Sequence, residues 1–239
     1  MSDWIARFRR DPVGAVQRGF YKLFVAPFKY ARGGDYDAAR YWRDRFLRHG
    51  TSLKSVGDEG LDEQANAEMY EMASERLIHL IRKHVPPPLS GQRVLEVGCG
   101  TGHYTQRLSA LGFSDYSGLD ITDVFFDELR SRHPTFHFQL GDITEPLSDT
   151  GFHVVLCIDV IEHIVTREKF NRAMANLRSA VTPGGVLLLA PVNPRGMRAL
   201  FYVRFWSETD VRSAFPEFNL LEAVSFRNAG LVVLQKAGN

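Results

Sequence analysis

The chain has 239 residues, of which 44% are hydrophobic and 24% charged, and its formal net charge is +1. This composition excludes a disordered chain and is typical of one α/β domain with an added segment. The positive charge is concentrated in the first 50 residues, which carry 11 lysines and arginines against 5 acidic residues. Because the remaining chain lacks the broad basic character of nucleic-acid-binding proteins, no nucleic-acid partner is expected.

Cys99 and Cys157 are the two cysteines, and both fall at the ends of predicted strands. They indicate a reduced protein rather than a disulfide framework. No run approaches the roughly 18 apolar residues of a membrane span, and the N-terminus lacks an apolar segment of signal-peptide type. We therefore expect a cytoplasmic protein, with peripheral attachment to a membrane as the alternative.

Residues 11–30 predict a basic amphipathic helix. Asp11, followed by a proline, is a typical helix start, and apolar residues then recur at helical spacing until Pro27, with Arg18 and Lys22 on the other face. Two interpretations are open. The apolar face packs against the core or a second subunit, or it rests on an anionic membrane surface.

Two further helices are predicted over residues 36–49 and 62–84, separated by a polar loop that contains glycines. Each has an apolar stripe at helical spacing. We expect residues 1–85 to form a helical cap over an α/β domain at residues 86–239. The ligand should lie beneath the cap, at the carboxyl ends of the strands.

Residues 93–102, RVLEVGCGTG, join a short apolar strand to a glycine turn and a helix. Such a turn brings the backbone close to a ligand and directs free N–H groups at it. The spacing does not fit a dinucleotide fingerprint, because the position three residues after Gly100 is His103. The acid and the glycines of the pattern are Glu96, Gly98, Gly100 and Gly102.

This pattern resembles that of class I S-adenosylmethionine-dependent methyltransferases, and the similarity extends over roughly residues 90–192. The resemblance implies that Glu96 approaches the ammonium group of S-adenosyl-L-methionine, that Asp120 binds the ribose hydroxyls, and that Asp142 contacts the adenine. The adjoining residues expected at the cofactor are Cys99, Ile121, Ile143 and Ile158. Another doubly wound nucleotide-binding protein is the alternative.

The remaining elements fit the Rossmann-like fold of this family. Further strands are predicted at residues 136–140, 153–158 and 186–190, helices at 101–111, 123–132 and 167–180, and a hairpin at 219–226 and 231–236. The resemblance implies a doubly wound seven-stranded sheet in the order 3-2-1-4-5-7-6, with the last strand antiparallel. Residues 142–151 contain a proline and predict a loop in place of the third crossover helix.

Residues 191–218 form an insertion in which arginines alternate with aromatic residues. In this family such segments usually form a wall on the acceptor side. The residues expected to contact the acceptor are Arg195, Arg198, Tyr202 and Trp206. Arginines beside aromatic rings suit an acceptor that is both apolar and anionic, such as a prenylated phenol or a phospholipid-like molecule. The alternative is that the aromatic residues pack against the N-terminal helices.

Methyl transfer needs alignment of acceptor and methyl group, and a base only where the acceptor keeps its proton. His163 is the candidate base because it follows the fourth strand and titrates near neutral pH, with packing and cofactor contact as alternatives. His103 is a weaker candidate.

Asp159, Glu162 and His163 also resemble the cation-binding residues of ubiquinone-biosynthesis O-methyltransferases. We expect no metal at this site, and a Mg²⁺ site is the alternative.

These features together predict a methyltransferase that acts on a small molecule, at oxygen. A lipid-like or prenylated aromatic acceptor is favoured over a sugar or another natural product. The hypothesis of a different class is a non-catalytic, membrane-docked assembly subunit that binds S-adenosylmethionine without turnover.

Overall fold

The computed structural model describes residues 12–238, so the predicted helix start at Asp11 lies outside the described residues. The amino-terminal part consists of helices and one short hairpin. Its elements are α1 (Pro12–Phe20), a π-helical turn (Tyr21–Val25), α2 (Ala26–Tyr30), β1 (Ala31–Arg32), β2 (Asp35–Tyr36), α3 (Ala38–His49) and α4 (Glu63–His84).

The rest of the chain is an α/β domain. Its elements are β3 (Arg93–Val97), α5 (His103–Leu111), β4 (Asp115–Asp120), α6 (Phe126–Arg132), β5 (His137–Leu140), β6 (Phe152–Ile158), α7 (Arg167–Ala180), β7 (Val181–Val192), β8 (Met197–Leu200), β9 (Val203–Phe205), α8 (Glu208–Ser213), β10 (Phe218–Phe226) and β11 (Ala229–Lys236). Short 3₁₀ turns cover Leu89–Gly91 and Ile161–His163.

Seven strands form the central sheet, in the order β10-β11-β7-β6-β3-β4-β5. Numbered along the chain, this is the order 3-2-1-4-5-7-6, and β11 is antiparallel to both of its neighbours. The predicted fold class is therefore confirmed. Strands β3 and β6 are buried on both faces, as expected for central strands of a parallel sheet.

The connection between β5 and β6, residues 141–151, contains no helix, as its composition predicts. The second strand of the last hairpin begins two residues earlier than predicted, at Ala229. Phe226 pairs with Ala229, so Arg227 and Asn228 form the turn. Arg227 takes a positive φ of 52° there.

The amphipathic segment continues past Pro27, where the sequence predicts an interruption. A π-helical turn precedes α2, and Pro27 falls in the first turn of α2, where its missing N–H group is not needed.

Among residues 12–238, no helix combines the length and the apolar character needed to cross a bilayer.

The apolar face of α1 does not pack on the core. No residue of α1 is buried, and Phe24 and Phe28 beyond it are 65% and 95% exposed. Beyond α1 the segment does reach the core, because Ala26 and Tyr30 are buried in a cluster with Tyr41 and Tyr202. Lys22 adds a 3.0 Å ion pair with Glu59. Docking on the protein core is therefore wrong for the α1 face, which leaves a second subunit or a membrane surface for that face.

Candidate active site

A cavity lies at the carboxyl ends of β3, β4 and β6, bordered by α3 and α4. Its floor includes the glycine turn, and its roof includes Trp42 and Phe46 of α3 and Tyr70 of α4. Nine of the ten predicted cofactor residues line it, and the tenth, Gly102, begins α5 just outside.

The glycine turn has a backbone that other residues rarely adopt. Gly98, Gly100 and Gly102 have φ angles of 80°, 48° and 82°. A Cβ atom on Gly98 would overlap the side chain of Val160, and one on Gly102 would overlap Leu129. Glycine is therefore required both by conformation and by the close approach of neighbouring side chains.

Asp120 is buried at the end of β4, and its carboxylate is oriented by the backbone. One oxygen accepts a hydrogen bond from the Gly100 N–H at 2.8 Å, and the other accepts one from the Thr122 N–H at 2.9 Å. Burial raises the pKa of Asp120 to about 6. Each oxygen keeps a lone pair for a further donor, so the carboxylate fits the two adjacent hydroxyls of a ribose.

Asp142 follows β5 and also borders the cavity. Its carboxylate accepts a hydrogen bond from the Thr144 N–H at 2.8 Å. The apolar wall on this side is formed by Ile121, Ile143 and Ile158. A polar edge beside apolar walls suits a flat base such as adenine, and with the ribose position at Asp120 the residues fit an adenosine cofactor.

Glu96 is buried on β3 and is already hydrogen-bonded. One of its oxygens accepts hydrogen bonds from the Tyr116 hydroxyl at 2.6 Å and the Thr105 hydroxyl at 2.9 Å. Burial raises the pKa of Glu96 to about 7, because these hydroxyls only partly offset the loss of solvation. The carboxylate borders the cavity without a cationic partner in the described chain.

His163 borders the cavity from the 3₁₀ turn after β6. Its Nδ1 lies 3.1 Å from the carbonyl oxygen of Tyr202, and since a carbonyl only accepts, Nδ1 carries the proton and Nε2 has a free lone pair. Burial lowers the pKa of His163 to about 4, so the ring is neutral at physiological pH. The second candidate base, His103, also borders the cavity, and its Nε2 lies 2.8 Å from the Ser74 hydroxyl.

The four insertion residues predicted to contact an acceptor do not border the cavity. Arg195 and Arg198 are exposed, and Arg198 donates a 2.9 Å hydrogen bond to the carbonyl oxygen of Gly34. Tyr202 is buried against Tyr41, with ring centroids 4.6 Å apart. The insertion therefore packs against the N-terminal segment, as the alternative interpretation states.

Trp206 has a structural position in the core. Its indole N–H donates to the carbonyl oxygens of Ile161 and Ile164, both at 3.0 Å, and its ring stacks on Phe170 at 3.9 Å. The predicted contact with an acceptor does not fit this placement. Trp206 instead fixes the turn that carries His163.

Sequence reasoning missed most of the aromatic residues that border the cavity. These are Tyr36, Trp42, Phe46, Tyr70 and Tyr104, and the ion pair of Lys169 and Asp35, at 2.6 Å, lies among them. We call this part of the lining the acceptor end, because it contains none of the predicted cofactor residues. The residues come from the hairpin, α3, α4, α5 and α7. The helical stripes place Trp42 on an apolar face, but no local signal tells which apolar face borders a ligand.

The proposed metal ligands do not come together. Asp159 forms an ion pair with Arg227, and the side chains of Glu162 and His163 approach only to 3.9 Å. Within residues 12–238, no group of three histidine, cysteine, aspartate or glutamate side chains could hold a metal ion. The residues present therefore do not fit a Mg²⁺ site.

The fold and the site define a Rossmann-like α/β domain with a nucleotide-type cavity at the ends of its parallel strands. Residues 95–187 match the family model of a methyltransferase domain. The chain thus carries a class I S-adenosylmethionine-dependent methyltransferase domain, and the recognition based on the glycine turn is confirmed. The cofactor of this class is S-adenosyl-L-methionine.

Two of the curated proteins that this chain resembles are O-methyltransferases. A malonyl-[acyl-carrier protein] O-methyltransferase of Pectobacterium atrosepticum is 30% identical over 128 residues, covering 52% of this chain and 46% of the relative. A ubiquinone biosynthesis O-methyltransferase of Rhizobium etli is 31% identical over 132 residues, covering 53% and 51%. The chain spans about half the length of these curated relatives.

The solved structure of magnesium protoporphyrin IX methyltransferase from Synechocystis PCC 6803, with bound SAH, has the same fold. Its TM-score is 0.64 at 17% identity, and the match covers 84% of this chain and 100% of that chain. At this identity the likeness extends to the fold and not to the substrate.

Proposed function

We propose that the protein transfers the methyl group of S-adenosylmethionine to an oxygen of a small apolar acceptor. The observation that carries the proposal is one continuous cavity. It is bordered both by Asp120 and Asp142, which suit the adenosine, and by His163 and the aromatic side chains around Trp42. The names of the related O-methyltransferases support oxygen as the methylated atom.

The acceptor class follows from the composition of that wall. Four aromatic side chains from the cap, Tyr36, Trp42, Phe46 and Tyr70, border the cavity. Such a surface favours a flat or apolar group over a sugar, whose hydroxyls would need more hydrogen-bonding partners. We therefore favour a lipid-like or prenylated aromatic acceptor.

The bound cofactor supplies a methyl group that its sulfonium charge already activates. The aromatic cap excludes water and holds the acceptor in line with that group. Nε2 of His163 accepts the proton of the acceptor hydroxyl as its oxygen becomes methylated. The hydrogen bond to the Tyr202 carbonyl keeps the ring in the tautomer that leaves Nε2 free.

Labelled S-adenosylmethionine, incubated with the protein and a lipid extract, tests this function. We expect labelled methyl in the lipid fraction. His163→Ala should slow turnover and leave cofactor affinity nearly intact, whereas His79→Ala, on the exposed face of α4, should change neither. Cofactor binding without any methylated product would favour the non-catalytic subunit, and wild-type turnover by His163→Ala would remove the base role.

We further propose that the amphipathic segment docks on an anionic membrane. Residues 12–34 carry four basic and no acidic side chains, although Lys22 and Lys29 pair with Glu59 and Asp44. Large apolar side chains of the segment, including Phe24 and Phe28, are exposed. Basic charge beside exposed apolar rings suits the boundary between anionic headgroups and acyl chains. The segment leads into β2, whose Tyr36 borders the cavity, so docking would bring the cavity to the source of a lipid-like acceptor.

Sedimentation with vesicles tests the docking proposal. We expect the full-length protein to sediment with phosphatidylglycerol vesicles, less with phosphatidylcholine vesicles, and less as salt rises. The variant Phe24→Ser/Phe28→Ser should lose this binding, while Met72→Ser, an exposed apolar site on α4, should retain it. A wild-type protein that never sediments would contradict the proposal, and a dimer that the double variant dissociates would assign the face to a second copy.

A further inference from the structure

A smaller cleft lies between the amphipathic segment and α3, and it shares no lining residue with the active-site cavity. Its charged residues are Lys22 from the π-helical turn, Arg45 and Arg48 from α3, and Glu59 from the loop between α3 and α4. Three basic side chains against one acidic side chain give the cleft an excess of positive charge. The proposed methyl transfer uses none of these residues.

Glu59 does not neutralise the cleft, although it is ionised. Burial opposes its ionisation, but the charges of Arg45 and Lys22 prevail and lower the pKa of Glu59 to about 2. Its carboxylate forms the 3.0 Å ion pair with Lys22. Since one carboxylate balances only one of the three basic side chains, the positive charges of Arg45 and Arg48 remain.

Arg45 is an enclosed cation, with only 6% of its surface exposed. One terminal nitrogen donates hydrogen bonds to the carbonyl oxygens of Lys54 and Gly57, at 3.0 Å and 2.6 Å. Its Nε has no hydrogen-bonding partner among the residues that the structure describes. Because a buried cation without a paired anion is costly, an anion that enters the cleft is stabilised there.

The cleft adjoins the exposed apolar face of the amphipathic segment. Phe20 and Phe24, whose ring centroids are 5.2 Å apart, flank Lys22 in the sequence, and both rings are exposed. A helix at a membrane surface buries its apolar face by about 5 to 10 Å, so headgroups of adjoining lipids reach the side chains on its other face. With the two rings in the membrane, Lys22 and the exposed Arg48 lie at the height of the lipid phosphates.

We propose that this cleft binds the phosphate group of an anionic glycerophospholipid. Lys22 and Arg48 donate hydrogen bonds to the phosphate oxygens, and Arg45 supplies the enclosed positive charge. The acyl chains of the bound lipid lie against Phe20 and Phe24. The inference rests on the proposed docking of the segment on an anionic membrane, and it assigns the lipid group that the protein recognises there.

Calorimetric titration of the full-length protein with dihexanoyl phosphatidylglycerol, kept below its micelle concentration, tests the cleft without a membrane surface. We expect saturable binding that Lys22→Gln/Arg48→Gln weakens by about tenfold or more, because two charge-assisted donors are lost. The matched control Arg32→Gln/Arg40→Gln removes two exposed charges outside the cleft and should bind within about twofold of the wild type.

Thermal unfolding checks the fold of both double variants. If Lys22→Gln/Arg48→Gln unfolds, Arg48→Gln alone keeps the ion pair of Lys22 with Glu59 and should still weaken lipid binding by about fivefold. Equal weakening by the cleft variant and the control variant would show a general effect of charge and overturn the inference.

Two further titrations separate the possible ligands and the two proposals. Inorganic phosphate that binds as tightly as the short-chain lipid would assign the cleft to free phosphate and overturn the lipid assignment. A wild-type protein that sediments with phosphatidylglycerol vesicles but does not bind the short-chain lipid would overturn the inference and leave the docking proposal intact. A wild-type protein that does neither would overturn both.

Discussion

The two ends of the cavity are built in different ways. At the cofactor end, the turn formed by Gly98 and Gly100 and the carboxylate of Asp120 lie within 23 residues of one another, and main-chain N–H groups make the decisive contacts. At the acceptor end, separate elements contribute aromatic side chains such as Tyr36 and Trp42.

The cofactor end depends on the backbone of the fold, whereas the acceptor end depends on the side chains of this particular sequence. Backbone contacts tolerate exchange of many side chains but not a change in turn geometry. Side-chain walls keep their shape only while the cap packs on the core. Substitutions at the cofactor end should therefore act on cofactor affinity, and those behind the acceptor end on stability and turnover.

Gly98→Ala should have the largest effect. A positive φ costs a residue with a side chain about 1 to 2 kcal/mol, and the overlap with Val160 adds about 1 to 3 kcal/mol. We expect a total of roughly 3 kcal/mol, divided between the free energy of unfolding and the free energy of cofactor binding. Denaturation and calorimetry measure the two parts. Gly91→Ala, where no atom lies near the added Cβ, should leave both within about 0.5 kcal/mol, and equal behaviour of the two variants would contradict the requirement for glycine.

His163 should make the stability depend on pH. Burial lowers its pKa from 6.5 to about 4, so between these values the unfolded chain binds a proton that the folded protein does not. Stability from this group therefore rises with pH across that window, by roughly 3 kcal/mol. In His163→Asn the rise should be absent, while the amide nitrogen, which takes the position of Nδ1, still donates to the Tyr202 carbonyl oxygen. A difference between wild type and variant that is constant with pH would show that the ring is not buried and neutral.

Asp120→Ala should weaken cofactor binding by about 2 kcal/mol, roughly thirtyfold, through the lost charge-assisted hydrogen bonds. Since burial raises the pKa of Asp120 to about 6, affinity of the wild type should also fall as pH drops below that value. Calorimetry at several pH values checks both. Asp123→Ala, an exposed carboxylate paired with Arg43, is the control and should bind normally. Unchanged affinity in Asp120→Ala would remove the ribose assignment.

Trp206→Phe should have the smallest effect on the site. It removes the indole N–H that bonds to Ile161 and Ile164, which should lower the free energy of unfolding by about 1 to 2 kcal/mol. Cofactor affinity should not change, and exposed Arg195→Ala should alter neither quantity. If Trp206→Phe instead raised the acceptor KM at unchanged stability, the insertion would be the acceptor wall after all.

The cofactor end was predictable because its signals are local, whereas the sheet order followed from the resemblance to the family. The alternation of glycines from Gly98 to Gly102 dictates a turn, and the carboxyl ends of parallel strands bring Asp120 and Asp142 to that turn. Their placement at one cavity agrees with the expectation from sequence. Their roles toward the cofactor stay predictions until binding is measured.

The acceptor end was not predictable because its contacts are made between distant parts of the chain. Asp35 and Lys169, whose ion pair borders the cavity, are 134 residues apart in the sequence, and nothing near either residue indicates its partner. The composition shows that the insertion is rich in aromatic residues. It does not show that Tyr202 and Trp206 pack away from the cavity. An apolar helical face likewise looks the same whether it is buried or, as in α1, exposed.

The most direct test of the account is calorimetric titration of the full-length protein with S-adenosylhomocysteine, repeated with Asp120→Ala. The account predicts saturable binding of one molecule per chain in the wild type and roughly thirtyfold weaker binding in the variant. No binding by a folded wild-type protein, or equal binding by both proteins, would contradict the assignment of this cavity to the cofactor.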